Sequence, residues 1–561
     1  MTAPPRPLAK KPALALGVLS GVLYFLAFPG IDLWPLGFVA LVPLIVALRG
    51  QTPRRALLIG WLAGLTMTLV GFYWLLEMLE TFSGFPIALC ALFLVLLCSY
   101  QGGRVALLGW LAARLERRGL AFGPAFALGF VASELAYPLL FPWFYGGVVH
   151  QVPAALQSAE LGGPIAVGLV LVAANLAIAE LILARREARP PRLRVVAAQA
   201  AVVGLALIYG AIRIAQVDAT VAQAPKGKVG LVQANMSLFG KRQQVQEGLR
   251  RHVELTRQLA ADGDVDLVVW SETSVMGAVH EDDAASAIPR RFSRRLGVPT
   301  LFGAVLARPV DDVRGHVVFN SALATDQQGK VVARYDKHYR LPFGEFLPFG
   351  DVFPVLYEWS PNSGRFAKGE SIEPLRLGEH EIATFICYED VIPSFVSSIV
   401  GAGDPDLLVN LTNDAWFGDT TEPWIHLALS KLRAVEHRKY FVRSTNSGVS
   451  AIVDPVGRVV AHTETFVEAT LVAEIAWLRG KTPYALWGDA PWWLLTALAL
   501  LAALLPARWL PSRWFAARSS APANAPADAA ERLAVAGDVG RFRTHSHRWL
   551  AENRAFRSSG E

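Results

Sequence analysis

A bundle of about eight membrane-spanning helices carrying one outward α/β domain is the fold class this sequence predicts, on three observations. The 561 residues are 53% hydrophobic and 18% charged, with a mean hydropathy of +0.36, whereas an average soluble domain carries about 25% charge. The apolar residues are concentrated in roughly the first two-fifths of the chain and in one late block. Lysine and arginine fall mostly in short loops between apolar runs and in the tail, so the net charge of +6 reads as membrane topology and not as nucleic-acid binding. The same composition excludes a wholly disordered chain, a collagen-like repeat and a disulfide-knitted scaffold.

A spanning helix needs about 20 mostly apolar residues, because the hydrocarbon core is about 30 Å thick and each residue rises about 1.5 Å. Seven segments qualify before residue 217, at 12–29, 32–48, 56–78, 86–111, 122–144, 163–184 and 196–215, and an eighth at 491–510. The first has a basic start (Arg6, Lys10, Lys11) but no small-residue cleavage site ahead of the next span, so it reads as a span and not a signal peptide. Arg104 interrupts the fourth. A charge at a helix centre costs roughly 2.5–3.5 kcal/mol on insertion scales, so this side chain has to face protein, water or an interface. Glu134 and Glu180 also fall inside spans. Their location makes them functional candidates, and helix-to-helix hydrogen bonding explains them equally well. Tyr73, Trp74, Trp143, Phe144 and Tyr145 lie near outward span ends and read most simply as interfacial belt aromatics.

The loops assign the sides. Basic residues cluster at the N-terminus, at Arg49/Arg54/Arg55, at Arg114/Arg117/Arg118 and at Arg185–Arg194, while the alternate loops 30–31, 79–85 and 145–162 contain none. The positive-inside rule puts the N-terminus in the cytoplasm. Seven crossings then deliver residues 217–489 to the outside, and the eighth returns the tail with Arg508, Arg513 and Arg518. The chain therefore divides into a seven-span membrane domain (1–216), an outward domain (217–489), an eighth helix (490–511) and a cytoplasmic, mostly disordered tail (512–561) rich in Ala, Arg and Ser.

Residues 217–489 alternate short β-branched runs with polar helical stretches. Strands are expected at 228–236, 266–270, 299–307, 317–325, 330–336, 381–389 and 406–414, and helices at 241–262 and 421–440. Such alternation implies a layered α/β sheet fold with its own core. Of the three cysteines, Cys90 and Cys98 fall within a span and Cys387 stands alone in the outward domain, so no disulfide forms within it. A lone buried cysteine is ordinarily inert. Cys387, however, directly follows the apolar run IATFI and precedes a helix-like stretch, which places it on a strand-to-helix turn near backbone N–H groups. A thiol of ordinary pKa, about 8.5, needs a base to become a nucleophile. Glu272 follows the apolar run DLVVW after Ser271, and Lys337 follows KVVARYD directly. Taken singly, the first reads as a solvated loop acid or helix cap and the second as a surface lysine, and spacing does not unite the three.

The motifs around them do. Glu272, Lys337 and Cys387, in that order and each at a strand end, resemble the Glu-Lys-Cys triad of the nitrilase superfamily. YDKHYRLPFGEFLPFG, ICYED, LTNDAWFGDTTEPWIH and VRSTNSGVSAIVDPVG, on a domain flanked by seven spans and one, resemble the apolipoprotein N-acyltransferase family over residues 10–510. The resemblance implies a four-layer αββα nitrilase-like sandwich on the periplasmic side of a multi-pass bacterial inner-membrane protein with both termini cytoplasmic. It implies transfer of an acyl chain from a phospholipid, typically phosphatidylethanolamine, to the α-amino group of the N-terminal S-diacylglyceryl-cysteine of apolipoproteins. By position, Cys387 matches the nucleophile, Glu272 the general base and acid, and Lys337 the oxyanion-stabilising cation. Glu345, Tyr388 and Glu389 match supporting positions, and Trp416 matches an aromatic of the substrate or lid loop. The family's tryptophan after the domain's first strand is missing here, where the chain reads NMSLFGKRQQ (235–244). No metal, cofactor or nucleic acid is implied, and no P-loop or zinc-ligand spacing contradicts this. The alternative is a membrane-tethered nitrilase-type amidase, with water as second nucleophile.

Overall fold

The computed structural model describes residues 6–505, apart from 84, 238–239, 312–314, 343, 348 and 360–362. The expectations for the tail and for Arg508, Arg513 and Arg518 lie outside these residues, as do positions 238–239 of the run NMSLFGKRQQ. All the described residues belong to one compact unit.

Each expected span contains a helix, but not every helix has spanning length. Lys10–Ala27, Ile87–Arg117, Ala159–Arg186 and Leu193–Gln223 are long and apolar enough to cross a membrane. Pro53–Gly71, capped by the Thr52 hydroxyl, continues after a 63° bend into a second helix from Leu75, which makes a fifth span if the pair is one. The remaining three are shorter than the sequence suggested, and proline is the cause in each. The second breaks into a 3-10 turn at Trp34–Phe38 and a helix at Val42–Leu48, with Pro35 and Pro43 in their first turns. Phe122–Ala136 stops ahead of Pro138, and Ala490–Leu504 stops ahead of Pro506, because the residue before a proline is driven out of the helical region.

Inside the bundle, backbones touch where side chains are missing. A Cβ at Gly64 would lie 2.1 Å from the Gly102 oxygen, and one at Gly60 would lie 2.2 Å from the Val105 oxygen, so Pro53–Gly71 and Ile87–Arg117 pack without intervening side chains. Arg104 faces protein. It pairs with Glu134 at 2.8 Å, donates to the Trp143 oxygen at 2.6 Å and lies over the Trp143 ring. Glu180 pairs with Arg189. Trp74, Trp143 and Tyr145 are not belt aromatics: they are buried in the core between helices, whereas Tyr73 is exposed.

The α/β part is built on thirteen strands among the described residues. They are β1 (Lys226–Gln233), β2 (Leu267–Trp270), β3 (Val275–His280), β4 (Thr300–Pro309), β5 (His316–Thr325), β6 (Val331–Asp336), β7 (Leu375–Leu377), β8 (His380–Ile386), β9 (Leu407–Thr412), β10 (Tyr440–Thr445), β11 (Ala451–Val453), β12 (Val459–His462) and β13 (Ala469–Ala476). One sheet runs β13-β1-β2-β4-β5-β6, with β3 beside β4, and the other runs β12-β11-β10-β9-β8-β7. β1, β2 and β4 are mutually parallel, as are β8, β9 and β10. Side chains of both sheets, among them Val229, Val269, Phe385 and Val409, share one core, so the sheets face each other. The expected helix 421–440 is broken. It forms Glu422–Ser430 and Leu432–His437, stops at Arg438 with a left-handed φ of 53°, and gives way to β10. Likewise 241–262 divides at Gln244 into Gly240–Gln243 and Val245–Asp262.

Candidate active site

Three strand ends meet at one cavity. β2 is fully buried, and Glu272 follows it in a tight turn where Thr273 has a φ of 48°. Gly303 of the neighbouring strand permits that turn, since a Cβ there would come within 2.3 Å of the Thr273 nitrogen. β6 leads into Lys337, whose N–H donates to the Asn320 oxygen of β5 at 2.8 Å and extends the ladder by one residue. β8 leads into Cys387, the first residue of a 3-10 turn, with a φ of 56°. A side chain in that region costs roughly 1–3 kcal/mol and persists only where the surroundings enforce it. Here the Asn410 amide donates to the Cys387 oxygen at 2.8 Å and holds the elbow. Glu272 and Lys337 thus come from one sheet and Cys387 from the other.

Lys337 Nζ donates to Glu272 Oε1 at 3.2 Å and to Glu345 at 3.0 Å, and it is 2% exposed. The Asn320 amide bridges the same two carboxylates, at 2.7 and 2.8 Å, so a lysine and an amide lock the acids together. Glu272 Oε2 is buried without a hydrogen-bond partner among the described residues. Glu389 is buried and touches the chain on both sides of the site. It accepts from the N–H groups of His338 and Tyr339 after Lys337, from Ile386 N before Cys387, and from the Tyr335 hydroxyl, all within 2.8 Å. Tyr388 lies 5.9 Å from Lys337 Nζ across its ring and donates to the Arg340 oxygen at 2.9 Å.

Burial sets the charge states. It would lower Lys337, but Glu272 and Glu345 outweigh it, and the ammonium is held well above the ordinary lysine value. Burial and the Glu272 charge push the Cys387 thiol up, against the pull of Lys337. Burial brings Glu389 up to about 7, with Lys337 and its backbone donors acting the other way. The resting site therefore holds a protonated thiol beside an ammonium–carboxylate pair, which is a thiol in need of a base.

A cavity of about 200 Å³ is lined by Glu272, Lys337, Glu345, Cys387 and the half-buried Trp416, together with Met78, Leu79 and Phe141 from the helical bundle. A smaller, mostly apolar cavity of about 50 Å³ also reaches Cys387, between Phe72, Trp74, Trp143, Val391 and Phe417. The sequence-predicted residues Glu272, Lys337, Glu345, Cys387 and Trp416 thus share the larger cavity, Tyr388 borders the smaller one, and Glu389 stands behind both.

Sequence reasoning missed Asn320, Lys241 and the support beneath the elbow. Asn320 was visible as the amide inside the apolar run VVFNSALAT. Lys241 is 5% exposed, lines the larger cavity and donates from Nζ to the Glu272 oxygen at 2.7 Å; burial lowers it to about 7, with Glu272 opposing. Beneath Tyr388 and Glu389, Arg443 bonds Asp390 at 3.0 Å and Asp414 at 2.9 Å, and His426 bonds Asp390 at 2.9 Å. Asp414, Glu422 and His426 bring ligand-type atoms within 4.8 Å of one another. Arg443 already binds Asp414, so the group reads as a balanced charge network.

Residues 20–177 match the model of the apolipoprotein N-acyltransferase N-terminal domain, and residues 228–481 match that of the carbon-nitrogen hydrolases. The chain is similar to the apolipoprotein N-acyltransferase of Geobacter metallireducens, at 30% identity over 87% of this chain and 94% of the relative. It is similar to that of Azotobacter vinelandii, at 33% over 87% and 94%, and to that of Ralstonia nicotianae, at 34% over 88% and 93%.

Proposed function

The chain belongs to the apolipoprotein N-acyltransferase family, and from that premise we propose that it moves an acyl chain from a phospholipid, phosphatidylethanolamine above all, to the α-amino group of diacylated apolipoproteins through a thioester on Cys387. In this reading eight helices cross the bacterial inner membrane with both termini cytoplasmic, and residues 217–489 form a four-layer αββα domain on the periplasmic side. The observation that carries it is the convergence of Glu272, Lys337 and Cys387 on a cavity that the helical bundle also lines. A chain that dissolves in the bilayer can enter there.

Glu272 takes the thiol proton as Cys387 Sγ attacks the ester carbonyl. Lys337 and a backbone N–H near Tyr388 hold the tetrahedral oxyanion. As the C–O bond breaks, Glu272 returns the proton to the glycerol oxygen, and lysophospholipid leaves. The lipoprotein amine then attacks the thioester, Glu272 removes its proton, the C–S bond breaks and the thiol re-forms. Glu345 and Glu389 orient Lys337, and Trp416 contacts substrate or covers the cavity. An amidase would finish with water instead. Discharge of the acyl-enzyme by a diacylated lipopeptide, read as an N-acylated peptide in step with loss of acyl from the protein, supports transfer. Discharge at the same rate without the peptide contradicts it.

A further inference from the structure

A separate cleft of about 370 Å³ lies on the face of the helix Glu422–Ser430 opposite Cys387, and it shares no lining residue with either cavity at the sulfur. Trp424 and Leu427 line it from that helix, and Gly30, Asp32 and His150 come from the outward loops of the bundle. The loops are held against the α/β domain. Gly30 has a φ of 98°, and a Cβ on it would meet the Thr421 side chain at 2.9 Å. Asp32, with a left-handed φ of 65°, pairs with His150 at 2.6 Å. Into this cleft points Lys431, only 5% exposed, whose Nζ has no hydrogen bond and no ion pair among the described residues. Asp454 and Asp32 act on it from a distance against burial, which brings it down to about 8. A buried ammonium left uncompensated destabilises a fold unless something binds it.

We propose that this cleft is a headgroup site, in which Lys431 receives the phosphate of a membrane phospholipid that is bound and not consumed. A compact ammonium with three donors is a common partner for phosphate, and the imidazoles of His150 and His462 and the Thr421 hydroxyl border the same space. The cleft opens at the outward span ends, where headgroups lie, so the site rests on the membrane reading above and is independent of the thioester chemistry. A lipid there would clamp the α/β domain to the bundle.

The test uses the full chain in detergent, in a Cys387→Ala background so that no turnover intervenes, followed by thermal unfolding and by native mass spectrometry of bound lipid. Lys431→Met is expected to unfold at a higher temperature than the parent without lipid, and to lose at least about ten-fold in affinity for phosphatidylethanolamine at one site. Lys431→Arg keeps that affinity within about three-fold. A Lys431→Met protein that is less stable without lipid makes Lys431 a structural cation and overturns the proposal, as does unchanged lipid binding. Equal stabilisation by glycerophosphoethanolamine or inorganic phosphate assigns a soluble ligand and overturns the lipid.

Discussion

Glu389 joins the two strand ends that carry Lys337 and Cys387, and its four accepted hydrogen bonds leave no room for an amide. Glutamine has one acceptor oxygen and would turn its NH₂ toward donors. Glu389→Gln is expected to cost about 1–3 kcal/mol through unsatisfied buried groups, measured by thermal unfolding in detergent, and to slow thioester formation by displacing Lys337. Lys241 yields a pH prediction. Its folded value of about 7 lies below the ordinary lysine value of about 10.4, so between them the unfolded chain holds a proton that the folded chain has released. Stability therefore rises with pH from about 7 to about 10 and gains no slope from this group below 7. Lys241→Met should flatten the rise, and an unchanged slope contradicts the assignment. At this scale the triad was legible through the family motifs around its members, because strand-end position alone did not unite them. Lys241 was not, because its partner is a backbone oxygen, which leaves no mark in side-chain spacing.

Elements were legible where one periodicity ruled and illegible where local chemistry cut across it. Hydropathy located a helix in each expected span, yet Pro35, Pro43, Pro138 and Pro506 shorten three of them. The run 421–440 keeps helical spacing, but Arg438 leaves the helix to bond Glu160 at 2.7 Å and Gln157 at 2.6 Å, tying the domain to the helix Ala159–Arg186. Short edge strands such as β7 and β12 lack the apolar weight that marked β8 and β9. Gly60 and Gly64 form a small-residue stripe that places two backbones in contact. Gly64→Val should force those helices apart and cost about 1–3 kcal/mol, seen as a lower unfolding temperature. Unchanged stability would mean that the pair does not pack as described.

At the scale of the whole molecule, the cavity at Cys387 belongs to both parts of the chain. The α/β part supplies the acid, the ammonium and the thiol, and the bundle supplies Met78, Leu79 and Phe141. Sequence could locate the two parts but not the wall between them, because that wall depends on how the bend after Gly71 aims the helix from Leu75. Leu79→Glu, which sets a charge on the apolar wall, should lower the rate of acyl uptake at least ten-fold while leaving reaction of Cys387 with a small water-soluble thiol reagent within about two-fold; equal loss in both would contradict an acyl-chain wall. The central claim is that the Cys387 sulfur carries the chain between donor and acceptor. The mass of the intact protein after incubation with phospholipid tests it most directly. The expected result is one added acyl mass on Cys387 that is missing in both Cys387→Ala and Glu272→Gln; an unmodified wild-type protein, or an acyl group on any other residue, would contradict it.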